Sequence, residues 1–137
     1  MNFNFPVFYL GVSIIISLFI GIYAWRHPQA RGSKAFALAC LTFVVWTAGD
    51  ALVRVGETFA ARWTGEALRF LGVCFLPVVL LAFIRQYCGT PLNRRRIAVL
   101  CVVPLVSWIM MLTNQWHFLF FKSIEFFPAA PPRVVYG

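Results

Sequence analysis

Trp46, Asp50, Arg54 and Glu57 recur at spacings of four, four and three. On an α-helix these spacings bring side chains onto one face. Asp50 and Arg54 can then pair along the helix, and Glu57 can reach Arg54 from its outer end. The surrounding stretch, AFALACLTFVVWTAGDALV (35–53), is otherwise apolar. An acid without a partner in such a setting is costly, so this face points into a bundle or a water-filled cavity. Three chemistries fit it: a structural ion pair, a ligand- or signal-sensing element, and ion or proton movement. Arg69 stands at the same outer level on the next apolar stretch, where the ordinary role of an arginine is to reach along apolar surface to headgroups. Together Asp50, Arg54, Glu57, Glu66 and Arg69 can line an outward-facing polar mouth. Substitution at Arg62 is expected to be nearly silent.

Other reactive groups form no site. Cys40, Cys74, Cys88 and Cys101 make no CxxC and have no histidine near them in sequence, so neither a zinc site nor a redox motif is legible. They read as small apolar filler. His27 and His117 belong to opposite sides of the chain's expected topology and do not pair as ligands. No Walker loop, dinucleotide fingerprint, HExxH or hydrolase motif occurs. The expectation is no enzyme, no metal and no cofactor.

The elements that must position the polar face are set by composition. The chain has 137 residues, 61% of them hydrophobic and 12% charged, where soluble domains are about one quarter charged. Its mean hydropathy is +0.81. Four apolar segments can be marked, at about 7–25, 35–54, 68–87 and 97–115. The first is uncharged and as a helix is roughly 28 Å long, close to the hydrocarbon thickness of about 30 Å. The third, RFLGVCFLPVVLLAFIRQYCG (69–89), has no polar face and a proline in its middle, which a membrane helix tolerates better than a soluble one. The fold class is therefore all-α, a polytopic transmembrane bundle of four spans, with a partly re-entrant third and fourth segment as the lesser reading. Pro77 and Pro104 each remove a backbone donor and are expected to kink their helices. Gly72 and Cys74, just before Pro77, allow close helix contact.

Charge sets the expected topology. MNFNFP lacks the basic side chains that precede the apolar core of a signal peptide, so the first segment reads as a retained helix. Arg26, Arg31 and Lys34 occupy the first connection; Arg85, Arg94, Arg95 and Arg96 flank or fill the third. Short cytoplasmic loops carry the excess of Lys and Arg, which places both termini outside. The formal charge of +8 follows from these anchors beside anionic lipid and not from a nucleic-acid surface. Residues 116–137 read as an extracytoplasmic loop, in which PAAPP favours an extended or turning chain. A loop of this length leads on to something, so the chain is expected to be the first part of a longer one.

Several features in order carry a resemblance. AFALACLTFVVWTAG (35–49) ends in Trp-x-x-Gly. LRFLGVCFLPVVLLAFIRQYCG (68–89) has a central proline and an aromatic-x-Gly turn. LTNQWHFLFF (112–121) contains Thr-Asn-x-x-His, and VVYG closes the chain. In this order they resemble the first four helices of the seven-helix sensor region at the N-terminus of bacterial histidine kinases. The resemblance implies an external N-terminus, three further helices and a cytoplasmic output domain, within the bacterial inner membrane. It implies a sensory input module, with the lipid bilayer as its surroundings and a homodimer as one assembly open to it. Two other readings stay open: a small oligomeric transport component, and a structural membrane assembly protein.

Overall fold

A computed structural model of the chain describes residues 5–117, 121–124 and 134–136. Four long helices follow one another: α1 (Phe5–Arg26), α2 (Ser33–Val55), α3 (Phe59–Tyr87) and α4 (Arg94–Leu112). A single turn, α5 (Asn114–His117), comes next. Two short strands, β1 (Phe121–Ile124) and β2 (Val134–Tyr136), pair antiparallel with Phe121 opposite Tyr136. The PAAPP run lies outside the described residues. All four long helices are long and apolar enough to cross a membrane, and both prolines lie within unbroken helices.

Burial is inverted relative to a soluble protein. Large apolar side chains such as Ile15, Phe19, Val99 and Val103 are exposed, Phe19 at 73%. The buried positions are mostly small or polar, among them Gly21, Ala35, Ala37, Ala39, Thr47, Gly49, Gly65 and Gly72. Water would not tolerate so much exposed apolar surface. Lipid does, and helices in lipid associate through small residues that let backbones approach.

The helices pack mainly in sequence order, α1 on α2, α2 on α3 and α3 on α4. At the α1–α2 seam, a Cβ on Gly21 would sit 3.0 Å from Cys40 Cβ, and the Ser33 hydroxyl donates to the Ala24 carbonyl. The α2–α3 seam is tighter. A side chain on Gly72 would lie 2.6 Å from Trp46 Cβ and 2.7 Å from Trp46 N, and one on Gly65 would lie 2.9 Å from the Gly49 carbonyl oxygen. These are backbone neighbours that cannot rotate away. Phe36 and Phe83 close the other end of this seam, with ring centroids 5.3 Å apart. Trp108 Nε1 donates to the Ala67 carbonyl at 2.9 Å and ties α4 to α3.

Two boundaries differ from expectation. Helix α3 starts nine residues before 68, at Phe59. The Thr58 side chain accepts from Ala61 N at 3.2 Å and caps it, as N-terminal threonines do. The stretch between the expected second and third segments is thus largely helix, and only residues 56–58 connect α2 to α3. Arg94, Arg95 and Arg96 belong to the first turn of α4, not to the preceding connection.

Valine at position 72 is expected to destabilise the bundle by about 1–3 kcal/mol or more, because overpacking here pushes on backbone. Alanine at Gly11, where nothing lies within 4 Å of the added Cβ, is expected to be neutral. Unfolding of the two variants in mixed micelles checks the contrast.

Candidate functional site

The close approach of α2 and α3 brings their polar residues together. Asp50 sits five residues inside the end of α2, about 8 Å along its axis. Its Oδ2 accepts from Arg54 Nε at 3.0 Å, the i,i+4 pair expected from the spacing. Its Oδ1 lies 3.6 Å from Arg69 Nη1 on α3. Arg69 Nη2 stands 2.8 Å from Glu66 Oε2. The result is a chain of alternating charge, Arg54–Asp50–Arg69–Glu66, that crosses the seam.

Burial grades along this chain. The Arg54 side chain is 49% exposed, those of Asp50 and Arg69 about a fifth, and that of Glu66 only 4%. The Glu66–Arg69 contact has an ion-pair separation, yet neither carboxylate oxygen of Glu66 takes a well-angled hydrogen bond among the described residues. Glu66 therefore depends on the Arg69 charge more than on hydrogen bonds. Burying a carboxylate this way is tolerable only while its cation stays in place.

Asp50 and Arg69 also line a groove of about 580 Å³ bounded by α1, α2 and α3. Leu10 and Ser13 contribute from α1, Phe43, Trp46 and Thr47 from α2, and Phe70 and Val73 from α3. Trp46 meets Phe43 edge-to-face, with centroids 5.5 Å apart. The groove is apolar towards mid-helix and charged at its Asp50 end. Its volume falls in the range of small-molecule pockets. Among the described residues no cluster of His, Cys, Asp and Glu is placed to hold a metal ion.

Three expectations need correction. Glu57 does not share the Trp46–Asp50–Arg54 face. Helix α2 ends at Val55, and Gly56 turns to extended backbone with φ −64° and ψ 120°, so the three-residue step from Arg54 is no longer helical. Glu57 is exposed. Arg69 does not reach outward to headgroups; it turns inward between Asp50 and Glu66. Arg62 is not peripheral either, since its Nε donates to the Gly56 carbonyl at 2.6 Å and closes the α2–α3 turn.

The site also holds what the sequence reading passed over. Glu66 was placed at the rim of a mouth and is instead the most buried charge among the described residues. Its signal was the Glu-x-x-Arg spacing to Arg69, one helical turn. Ser13, Phe43, Thr47 and Phe70 carry no local signal, because the groove exists only where three helices meet. The anchoring cations Arg26, Arg31, Lys34, Arg85, Arg94, Arg95 and Arg96 gather at the opposite end of the bundle, around the first and third connections.

The sequence profile of the N-terminal 7TM region of histidine kinase matches residues 9–136. The chain belongs to that family. No curated protein and no solved structure matches it. This 7TM region is a membrane sensory input module, and its family is the sensor part of the kinase rather than the catalytic part. Its strongest internal polar device is the charge chain between α2 and α3.

Arg69→Met is expected to lower stability by about 3–5 kcal/mol, since it strands the Glu66 carboxylate. Glu66→Gln added to it is expected to restore part of the loss. Arg54→Ala, at an exposed pair, is expected to change stability by less than about 1 kcal/mol. Equilibrium unfolding of the four proteins in micelles tests this order.

Proposed function

We propose that this chain receives an envelope or small-molecule signal and passes it across the bacterial inner membrane to a cytoplasmic output domain such as a histidine kinase. The observation that carries the reading is the family match over residues 9–136, with four membrane-length helices beneath it. The groove at Asp50 and Arg69 is the proposed signal-facing surface. The charge distribution supports an external N-terminus, since the basic anchors fall in the first and third connections or the helix turns beside them. The described outer strands then stand on the same side as the groove's charged end.

A signal moves through such a bundle only if two packings are close in energy. The α2–α3 seam offers a way to hold two. Arg69 lies close to Glu66 and more loosely against Asp50, so a ligand in the groove that draws on Asp50 competes with Arg69 and loosens the charge contact between the two helices. Further helices and a homodimeric partner would carry that change inward.

Orientation is read by an impermeant maleimide on Cys88, an exposed free thiol just beyond α3. Labelling is expected in inverted membrane vesicles and absent in right-side-out ones. The opposite pattern reverses the proposed topology. The native product, detected with an antibody to the first connection, is expected to run well above 15.6 kDa and to carry a soluble output domain. A native product of 15.6 kDa overturns the output half of the proposal.

A further inference from the structure

Arg26, Arg31, Lys34, Arg85 and the Arg94–Arg96 run all lie at or beside the helix ends remote from the groove's charged end. No Asp or Glu occurs anywhere in 26–34 or 85–96. Asp50, Glu57 and Glu66 all lie at the other end, and no ion pair between described residues involves any of these cations. Two connections converge here. Gly32 packs against Phe83, and Arg31 Nη1 lies 3.7 Å from where a Cβ on Gly89 would stand. The first connection therefore lies against the turn that leads from α3 into α4.

Cations at helix ends often serve to cap carbonyls. Here other donors take up several of those carbonyls. At the end of α1, the Ala24 carbonyl accepts from the Ser33 hydroxyl and from His27 N, and the Tyr23 carbonyl is 2.9 Å from His27 Nδ1. At the end of α3, the Arg85 carbonyl accepts from Thr90 N at 2.9 Å, with Gly89 in the left-handed conformation at φ 75°. The Ile84 and Gln86 carbonyls accept from Cys88 N and Gly89 N. Arg85 Nε is buried and has no acceptor among the described residues. In addition, α4 begins at Asn93 without a side-chain cap and with three arginines in its first turn, where the helix dipole itself favours an anion.

We infer that this face is a binding site for anionic phospholipid headgroups, with Arg31, Arg85 and the Arg94–Arg96 turn as the phosphate-binding residues. The inference rests on the membrane reading above, which sets this end of the helices at headgroup level. It goes further than a topology anchor. An anchor requires only positive charge, which lysine supplies equally. A phosphate site between two connections uses the planar fork of arginine, which binds phosphate oxygens in pairs. A retained headgroup would join the first connection to the start of α4.

The test uses the full-length protein in nanodiscs of equimolar phosphatidylglycerol and phosphatidylcholine. Lipids held after detergent release are counted by native mass spectrometry. Phosphatidylglycerol is expected to be retained over phosphatidylcholine by about tenfold or more, as two or more cations near one headgroup imply. Arg31→Gln with Arg85→Gln is expected to remove most of that preference while Cys88 labelling reports an unchanged orientation. Arg94→Lys, Arg95→Lys and Arg96→Lys together keep the charge and are expected to weaken it several-fold. Equal retention of the two lipids in the wild-type protein overturns the inference, and decides it even if the glutamine variant fails to fold. So does an unchanged preference in a folded glutamine variant. So does a rise in melting temperature with inorganic phosphate, in phosphatidylcholine discs, equal to that with phosphatidylglycerol, because the ligand is then free phosphate. Release of the protein by alkaline carbonate would instead defeat the membrane reading itself, a separate result.

Discussion

The structure depends on backbone meeting backbone between α2 and α3. Gly49, Gly65 and Gly72 leave no room for a side chain on this seam, and lipid on the outside provides no hydrophobic force to press the helices together. Close contact supplies the attraction instead, through many short van der Waals approaches. Everything polar then follows. Only at this separation does Arg69 on one helix come within 3.6 Å of Asp50 on the other. The groove wall is built by the same approach, because Trp46 contributes its backbone to the seam and its ring to the groove.

The charges in turn bring the seam a specificity that glycines lack. Smooth helix surfaces can slide by a turn at little energetic cost. The contact between Asp50 and Arg69 spans the seam, and a one-turn slip would break it while Asp50–Arg54 and Glu66–Arg69 stay paired within their own helices. A buried polar group fixes register in some helix assemblies, the coiled coil among them. Asp50 and Arg69, the pair that spans the seam, also line the groove.

Much of this was legible in the residues, for a local reason. Length and hydropathy mark the four helices because a span must be continuously apolar. The 46–50–54 face is a spacing within one helix, and so is the Asp50–Arg54 pair. The start of α3 lay outside the expected third segment because Glu57, Arg62 and Glu66 interrupt the apolar run by which that segment was bounded. The burial of Glu66 and the inward turn of Arg69 depend on which residue faces which across a seam. Gly72 could be named as a small residue, but its partner, the Trp46 backbone, is set by a contact between distant parts of the chain.

The connection of residues 56–58 bears on how the chain enters its membrane. With so short a turn, α2 and α3 form one helical hairpin. In the proposed orientation the tip of that hairpin must be translocated, and Asp50, Arg54, Glu66 and Arg69 travel with it. Moved singly, each would meet the full barrier that hydrocarbon sets against charge. Moved as a closed hairpin, they cross as a set of matched opposites. The order of synthesis gives a timing to this: Asp50 and Arg54 emerge first and already pair within α2, and Glu66 and Arg69 follow as a second self-matched pair within α3. Neither helix waits on the other for neutrality, and each arrives at the translocation channel with its own counter-charge one turn away.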